Sequence, residues 1–136
     1  MHEWALVDAV ASAAETAAEQ EKLKKVDAVV VVLGELQNVD RAAARRLFAE
    51  LRKTKKKALH RARLEIRAEK AVFRCRACGK TFGLRDLNKL SHKESEAVHF
   101  LPEMAHVYTE CPACASRDFE IARGRGIYVR EIRGER

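Results

Sequence analysis

The sequence reads as an α+β protein, two helices packed on a small three-stranded sheet, with a zinc-ribbon-like four-cysteine domain inserted into it. Three observations carry this reading. Apolar residues recur at helical spacing over 4–17 and 43–51, and β-branched or alternating runs at 26–33 and 64–68 supply strands. The only four cysteines form two Cys-x-x-Cys pairs separated by a long segment. The helix-and-sheet domain is expected to comprise residues 1–70 plus 118–136, and the cysteine domain residues 71–117.

Trp4, Leu6, Ala9, Val10, Ala13, Ala14 and Ala17 fall on one side of a helix that starts near residue 3. Glu3 and Asp8 suit its positive end, and Lys22 to Lys25 is expected to close it with cations at the negative end. Val26 to Leu33 is a continuous apolar run ending at Gly34, the pattern of a central strand. Asn38 or Asp40 can cap a second helix whose stripe is Ala43, Ala44, Leu47, Phe48 and Leu51. The Lys/Arg-rich segment that follows either extends this helix or forms a loop. Leu64, Ile66 and Ala68 then alternate with charged residues as a half-buried strand. Phe119, Ile121, Ile127 and Val129 read as one last strand, bulged at Gly124 and Gly126, that returns to the sheet.

The net charge of +7 is unevenly placed: residues 1–40 carry −5 and residues 41–70 carry +9. A basic block of this kind is a solvated face, a nucleic-acid surface or a dock for an acidic partner. No apolar run is long enough to span a membrane, and the N-terminus has no secretory pattern, so a cytoplasmic location is expected.

In that reducing setting two disulfides are disfavoured, and a redox pair would need only one Cys-x-x-Cys. Cys75, Cys78, Cys111 and Cys114 instead match a tetrahedral zinc site, each pair turning two thiolates toward one ion. Gly79 suits the sharp turn after the first pair and Pro112 stiffens the second. Phe73 and Phe82 bracket the first pair as its apolar floor. Four thiolates close the coordination shell, so this zinc is structural. His92, His99 and His106, in the gap between the pairs, are not needed for it.

His2 can chelate through the terminal amine, its own amide nitrogen and its imidazole, a square nitrogen set that suits Ni²⁺ or Cu²⁺. On the motif alone, a solvated terminal histidine is the commoner meaning.

Taken together, Met1-His2-Glu3, Val32-Leu33-Gly34-Glu35-Leu36, the two cysteine pairs and Gly124-Arg125-Gly126-Ile127-Tyr128-Val129 resemble the HypA family over nearly the whole chain. That family comprises nickel metallochaperones for maturation of [NiFe]-hydrogenase and, in some organisms, urease. Val98-His99-Phe100-Leu101-Pro102-Glu103, in the gap, is similar to its archaeal members. The resemblance implies a nickel-binding domain with a protruding zinc domain, one transferable Ni²⁺ and one structural Zn²⁺ per chain. It places nickel at Met1, His2 and Glu3, joined by His99 when a HypB-type P-loop nucleotidase binds, with His92 and His106 as alternatives. It implies delivery to the hydrogenase large subunit. The Lys/Arg-rich residues 52–63 depart from the family, which usually carries a Gly-Thr turn and an acidic approach there.

The competing class is a zinc-ribbon nucleic-acid binder, in which the basic block would neutralise phosphates. Aromatics do not interleave with that block, so no stacking platform supports it. An enzyme is disfavoured too: no phosphate loop, no nucleophile paired with a base and no open metal position are present.

Overall fold

A computed structural model describes residues 3–37, 39–87 and 90–136. The described chain divides into two compact units, residues 1–32, 39–67 and 127–136 in the first, and 33–38 and 68–126 in the second.

The first unit opens with helix α1 (Glu3–Gln20), which buries Val7, Val10, Ala11, Ala14 and Ala18 along one side. No base occupies its last turn, so the expected closure by Lys22 to Lys25 gives way to another device. Lys22 adopts a left-handed backbone (φ 57°). Its N–H donates to the Glu19 carbonyl (3.1 Å) and the Leu23 N–H to the Ala18 carbonyl (2.9 Å), a Schellman ending that satisfies the last carbonyls through the backbone.

Strand β1 (Lys25–Gly34) follows and is buried at every position from Ala28 onward. It is the middle strand of a three-stranded sheet, between β2 (Arg63–Glu69) and β6 (Ile127–Glu135). A strand covered on both faces and flanked on both edges has no solvated side, which is why its sequence is apolar throughout. Helix α2 (Arg41–Leu51) is capped by Asp40, whose Oδ1 accepts the N–H groups of Ala42 (2.9 Å) and Ala43 (3.4 Å). Phe48, Ala44 and Leu51 enter the same core as α1 and β1.

The basic segment neither extends α2 nor runs loose. Two short 3₁₀ turns, Arg52–Thr54 and Lys57–Leu59, fold it back, with Leu59 and Ala62 fully buried as anchors. Lys55 Nζ pairs with Asp8 (3.1 Å) and donates to Ser12 Oγ (3.0 Å), the Lys56 N–H donates to Glu15 (2.7 Å), and the Lys56 ammonium pairs with Glu19. The acids of α1 therefore neutralise part of this block, explaining the opposed charges of the first two sequence segments.

The second unit holds a small sheet in the order β4-β3-β5, made of β3 (Val72–Cys75), β4 (Thr81–Phe82) and β5 (Phe119–Arg123). Here the expectation of one last strand is corrected. Residues 119–123 pair antiparallel with β3, Phe73 opposite Ile121 and Cys75 opposite Phe119, and only residues 127–135 join β1. Gly124 (φ 90°) and Gly126 (φ 85°) break the run between them. A Cβ on Gly124 would lie 2.4 Å from the Ala71 Cα, so a side chain there cannot be accommodated. The boundary drawn at residue 118 consequently falls near 126, and residues 33–38 also belong with the second unit.

Between the cysteine pairs, where no element was anticipated, lie α3 (His92–Phe100) and the short α4 (Ala105–Tyr108). Ser91 and Glu94 form a capping box at the start of α3, a signal present in the sequence. Val98 and Ala105 carry these helices into a core with Phe73, Phe82, Phe119, Cys75 and Cys111.

Candidate metal centre

Cys75 ends β3, and its carbonyl accepts the Gly79 N–H (2.9 Å) while its own N–H donates to the Lys80 carbonyl (2.9 Å). Cys111 repeats both bonds, with Ala115 (2.8 Å) and Ser116 (2.8 Å). Two loops of unlike sequence thus close by the same pattern, four and five residues on. The pattern needs a left-handed residue four positions after the first cysteine. Gly79 supplies it at φ 78° and Ala115 at φ 64°. Sequence reasoning identified Gly79 but had no signal for Ala115.

The four sulfur atoms lie within 4.8 Å of one another, with Cys75 and Cys114 at 3.5 Å and Cys78 and Cys111 at 3.7 Å. Tetrahedral zinc with thiolates at about 2.3 Å places neighbouring sulfurs roughly 3.8 Å apart, so the residues fit such an ion. Cys75 and Cys111 are buried and Cys78 and Cys114 exposed, each pair spanning from core to surface.

The charges conform to a cage built for a cation. The Cys78 backbone N–H is the main influence that draws the Cys75 thiol down to about 6. The Ser116 N–H pulls Cys114 downward, but the crowded Cys75, Cys78 and Cys111 sulfurs together with burial win, pushing it up to about 12. One thiolate forms readily and a second charge beside it does not, unless a metal ion arrives to share it.

The floor is aromatic, as anticipated for Phe73 and Phe82, whose rings stack at 5.4 Å. Phe119 meets both edge-on at 5.5 and 5.3 Å. His106 stacks on Phe119 at 4.3 Å, and its Nδ1 donates to the Arg117 carbonyl (3.0 Å). That imidazole is engaged in packing. His92 sits on the first turn of α3 with its side chain 91 % exposed, 4.0 Å from Glu96. His99 differs from both. Its Nδ1 lies 3.1 Å from the Leu36 carbonyl, which can only accept, so Nδ1 donates there and, in the neutral ring, the lone pair falls on Nε2. Metal-binding imidazoles are commonly oriented in this way.

Of the N-terminal candidates, Met1 and His2 lie outside the described residues. Glu3 is described: its Oε1 accepts the Asp40 N–H at 3.3 Å, joining the start of α1 to the cap of α2. The sequence reading did not link Asp40 to Glu3, since 37 residues separate them.

Comparison with known proteins agrees with this geometry. The hydrogenase maturation factor HypA of Pyrococcus horikoshii is 42 % identical, covering 100 % of this chain and 97 % of that protein. Its namesake in Thermococcus kodakarensis is 40 % identical over the same shares. The fold matches the solution structure of the Ni metallochaperone HypA from Helicobacter pylori, with a TM-score of 0.67 at 21 % identity over 99 % of this chain and 98 % of that one. The family profile described as "Hydrogenase/urease nickel incorporation, metallochaperone, hypA" matches residues 1–134. With full-length relatives of such identity and a profile match from end to end, the chain belongs to the HypA family of nickel metallochaperones, which are not enzymes.

Proposed function

We propose that the chain carries one Ni²⁺ at Met1, His2 and Glu3 and delivers it, with a HypB-type P-loop nucleotidase, to the [NiFe]-hydrogenase large subunit in the cytoplasm. One Zn²⁺ per chain, held by Cys75, Cys78, Cys111 and Cys114, keeps the second unit folded. What supports this reading is a four-sulfur cluster in a chain whose sequence opens Met1-His2-Glu3, two donor sets of different chemistry. Four thiolates retain a soft ion, whereas an amine and an imidazole at a chain end bind a transferable one. His99 is the histidine of the inter-cysteine segment best suited to join the nickel, because the Leu36 carbonyl engages its Nδ1 and leaves Nε2 as the ring nitrogen for a metal.

The amine and imidazole must both lose protons to bind, with ordinary pKa values of about 8 and 6.5, so nickel affinity should collapse below roughly pH 6.5. Trp4, the single tryptophan, adjoins the chelate and is 55 % exposed, which makes its fluorescence a reporter. In protein with its native first residue, nickel should quench that emission saturably at pH 7.5. His2→Ala should abolish the effect and leave zinc in place. Unchanged nickel affinity after one residue is added before Met1 would refute the site. The nucleic-acid reading is disfavoured by Lys55 and Lys56, whose charges are spent on α1.

A further inference from the structure

The part of the basic block not consumed by α1 includes a second feature, independent of nickel and zinc. Arg45, Phe48 and Ala49 lie on one side of α2 and Arg52 caps its end, at spacings of three, four and seven residues from Arg45. Arg63 and Leu64 open strand β2 beside them. Arg45, Arg52 and Arg63 line a recess of about 200 Å³ whose floor is Phe48 and Leu64. That is too small for a nucleotide, since pockets for drug-sized ligands start at about 300 Å³. It is ample for one phosphate or one carboxylate.

The guanidinium groups are not all spoken for. Arg52 Nη1 donates to the Ala62 carbonyl at 2.5 Å, which fixes the plane of the group, yet its Nε is buried without a partner among the described residues. Arg63 Nη2 is held by Glu65 at 3.0 Å, and Glu65 is further engaged by Arg133 at 3.5 Å. Glu65 stays ionised, its pKa lowered chiefly by the Arg63 hydrogen bond, so it neutralises Arg63 only in part and shares its charge with Arg133. Arg45 adds a third guanidinium at the rim. Three guanidinium groups lining one recess over an apolar floor, one of them with its plane fixed, form an arrangement suited to an oxyanion.

We infer that this recess binds a single oxyanion of the phosphate or carboxylate class, presented by a partner or ligand of the protein.

The test follows the arginine Nε–H resonances of the zinc-loaded full chain by NMR. Inorganic phosphate, and separately a capped tri-glutamate peptide, are titrated at constant ionic strength set with chloride. At least one should shift the Arg52 Nε–H saturably. Arg45→Gln, on the helix exterior, should weaken that binding about ten-fold, whereas Lys57→Gln, outside the recess, should leave it unchanged. Arg52→Lys should abolish it, and Arg45→Gln retains the test if Arg52→Lys does not fold. Saturation by phosphate alone assigns a phosphate-bearing ligand, and by the peptide alone an acidic protein segment. Shifts that stay linear for both probes, or that Arg45→Gln and Lys57→Gln alter equally, overturn the inference.

Discussion

The two cysteine loops offer a paired test of how backbone strain tunes the zinc unit. Ala115 occupies the left-handed region at φ 64°, while Gly79 does so at the matching place of the other loop. Holding an L-residue there costs about 1–2 kcal/mol. Ala115→Gly removes that cost but loosens the unfolded chain by roughly 0.4–1 kcal/mol, leaving a net gain of about 0.5–1 kcal/mol. Gly79→Ala should lose a similar amount. No atom lies within 4 Å of the Cβ it would add, so the penalty is conformational and not steric. Because folding of such a unit is coupled to metal binding, the change should appear in zinc affinity. Competition with a chelator at pH 7 should find Ala115→Gly about three- to five-fold tighter and Gly79→Ala weaker by about the same factor, since 1.4 kcal/mol is tenfold. If Ala115→Gly weakened zinc, or if both variants moved it in one direction, the shared backbone geometry would not be what governs these loops.

Further outcomes follow from the rest of the structure. Phe119→Ala removes a fully buried ring that touches Phe73, Phe82 and His106, and should cost about 3–5 kcal/mol, seen as lost methyl dispersion in the second unit with Val29 and Val31 signals retained. Lys55→Met should cost about 1 kcal/mol by breaking its half-buried pair with Asp8, and should speed amide exchange at Lys56. Metal uptake should also release protons. Cys75, drawn from 9.0 to about 6, favours the metal-free fold above pH 9 and loses that contribution as pH falls through 6. Cys114, raised from 9.0 to about 12, contributes below pH 9 and loses it above 12. At pH 7, Cys114 is therefore still protonated, and zinc should displace at least one proton per ion. Calorimetry in two buffers of different ionisation enthalpy that gave equal heats would contradict this.

Much of the architecture was legible because periodicity and burial coincide. The apolar run at 26–33 has one place to go, the centre of a sheet, and the two cysteine pairs, expected to share one site, do bring their sulfurs together. What was hidden depended on contacts between distant residues or on backbone angles. Phe119 and Ile121 share phase with Ile127 and Val129, and only the positive φ values at Gly124 and Gly126 reveal that two different sheets receive them. The basic run looked free in sequence, since its partners Asp8, Glu15 and Glu19 lie some 40 residues earlier. The helices between the cysteine pairs escaped because their apolar positions are few, although Ser91 and Glu94 announced the first. Of the nickel candidates, Glu3 shows a tie to Asp40 and His99 a bond to the Leu36 carbonyl, neither of which spacing can disclose.

The closeness of Ala71 and Gly124 has a practical corollary. The Glu35 carboxylate accepts the Ala71 N–H, the Glu69 carboxylate accepts the Gly124 N–H, and Val72 faces Arg123. Departure and return of the intervening 52 residues thus occur at nearly one spot. Such a segment can be excised and the cut bridged by a residue or two, or lifted out as a self-closed miniprotein, because joining ends that already touch costs little chain entropy.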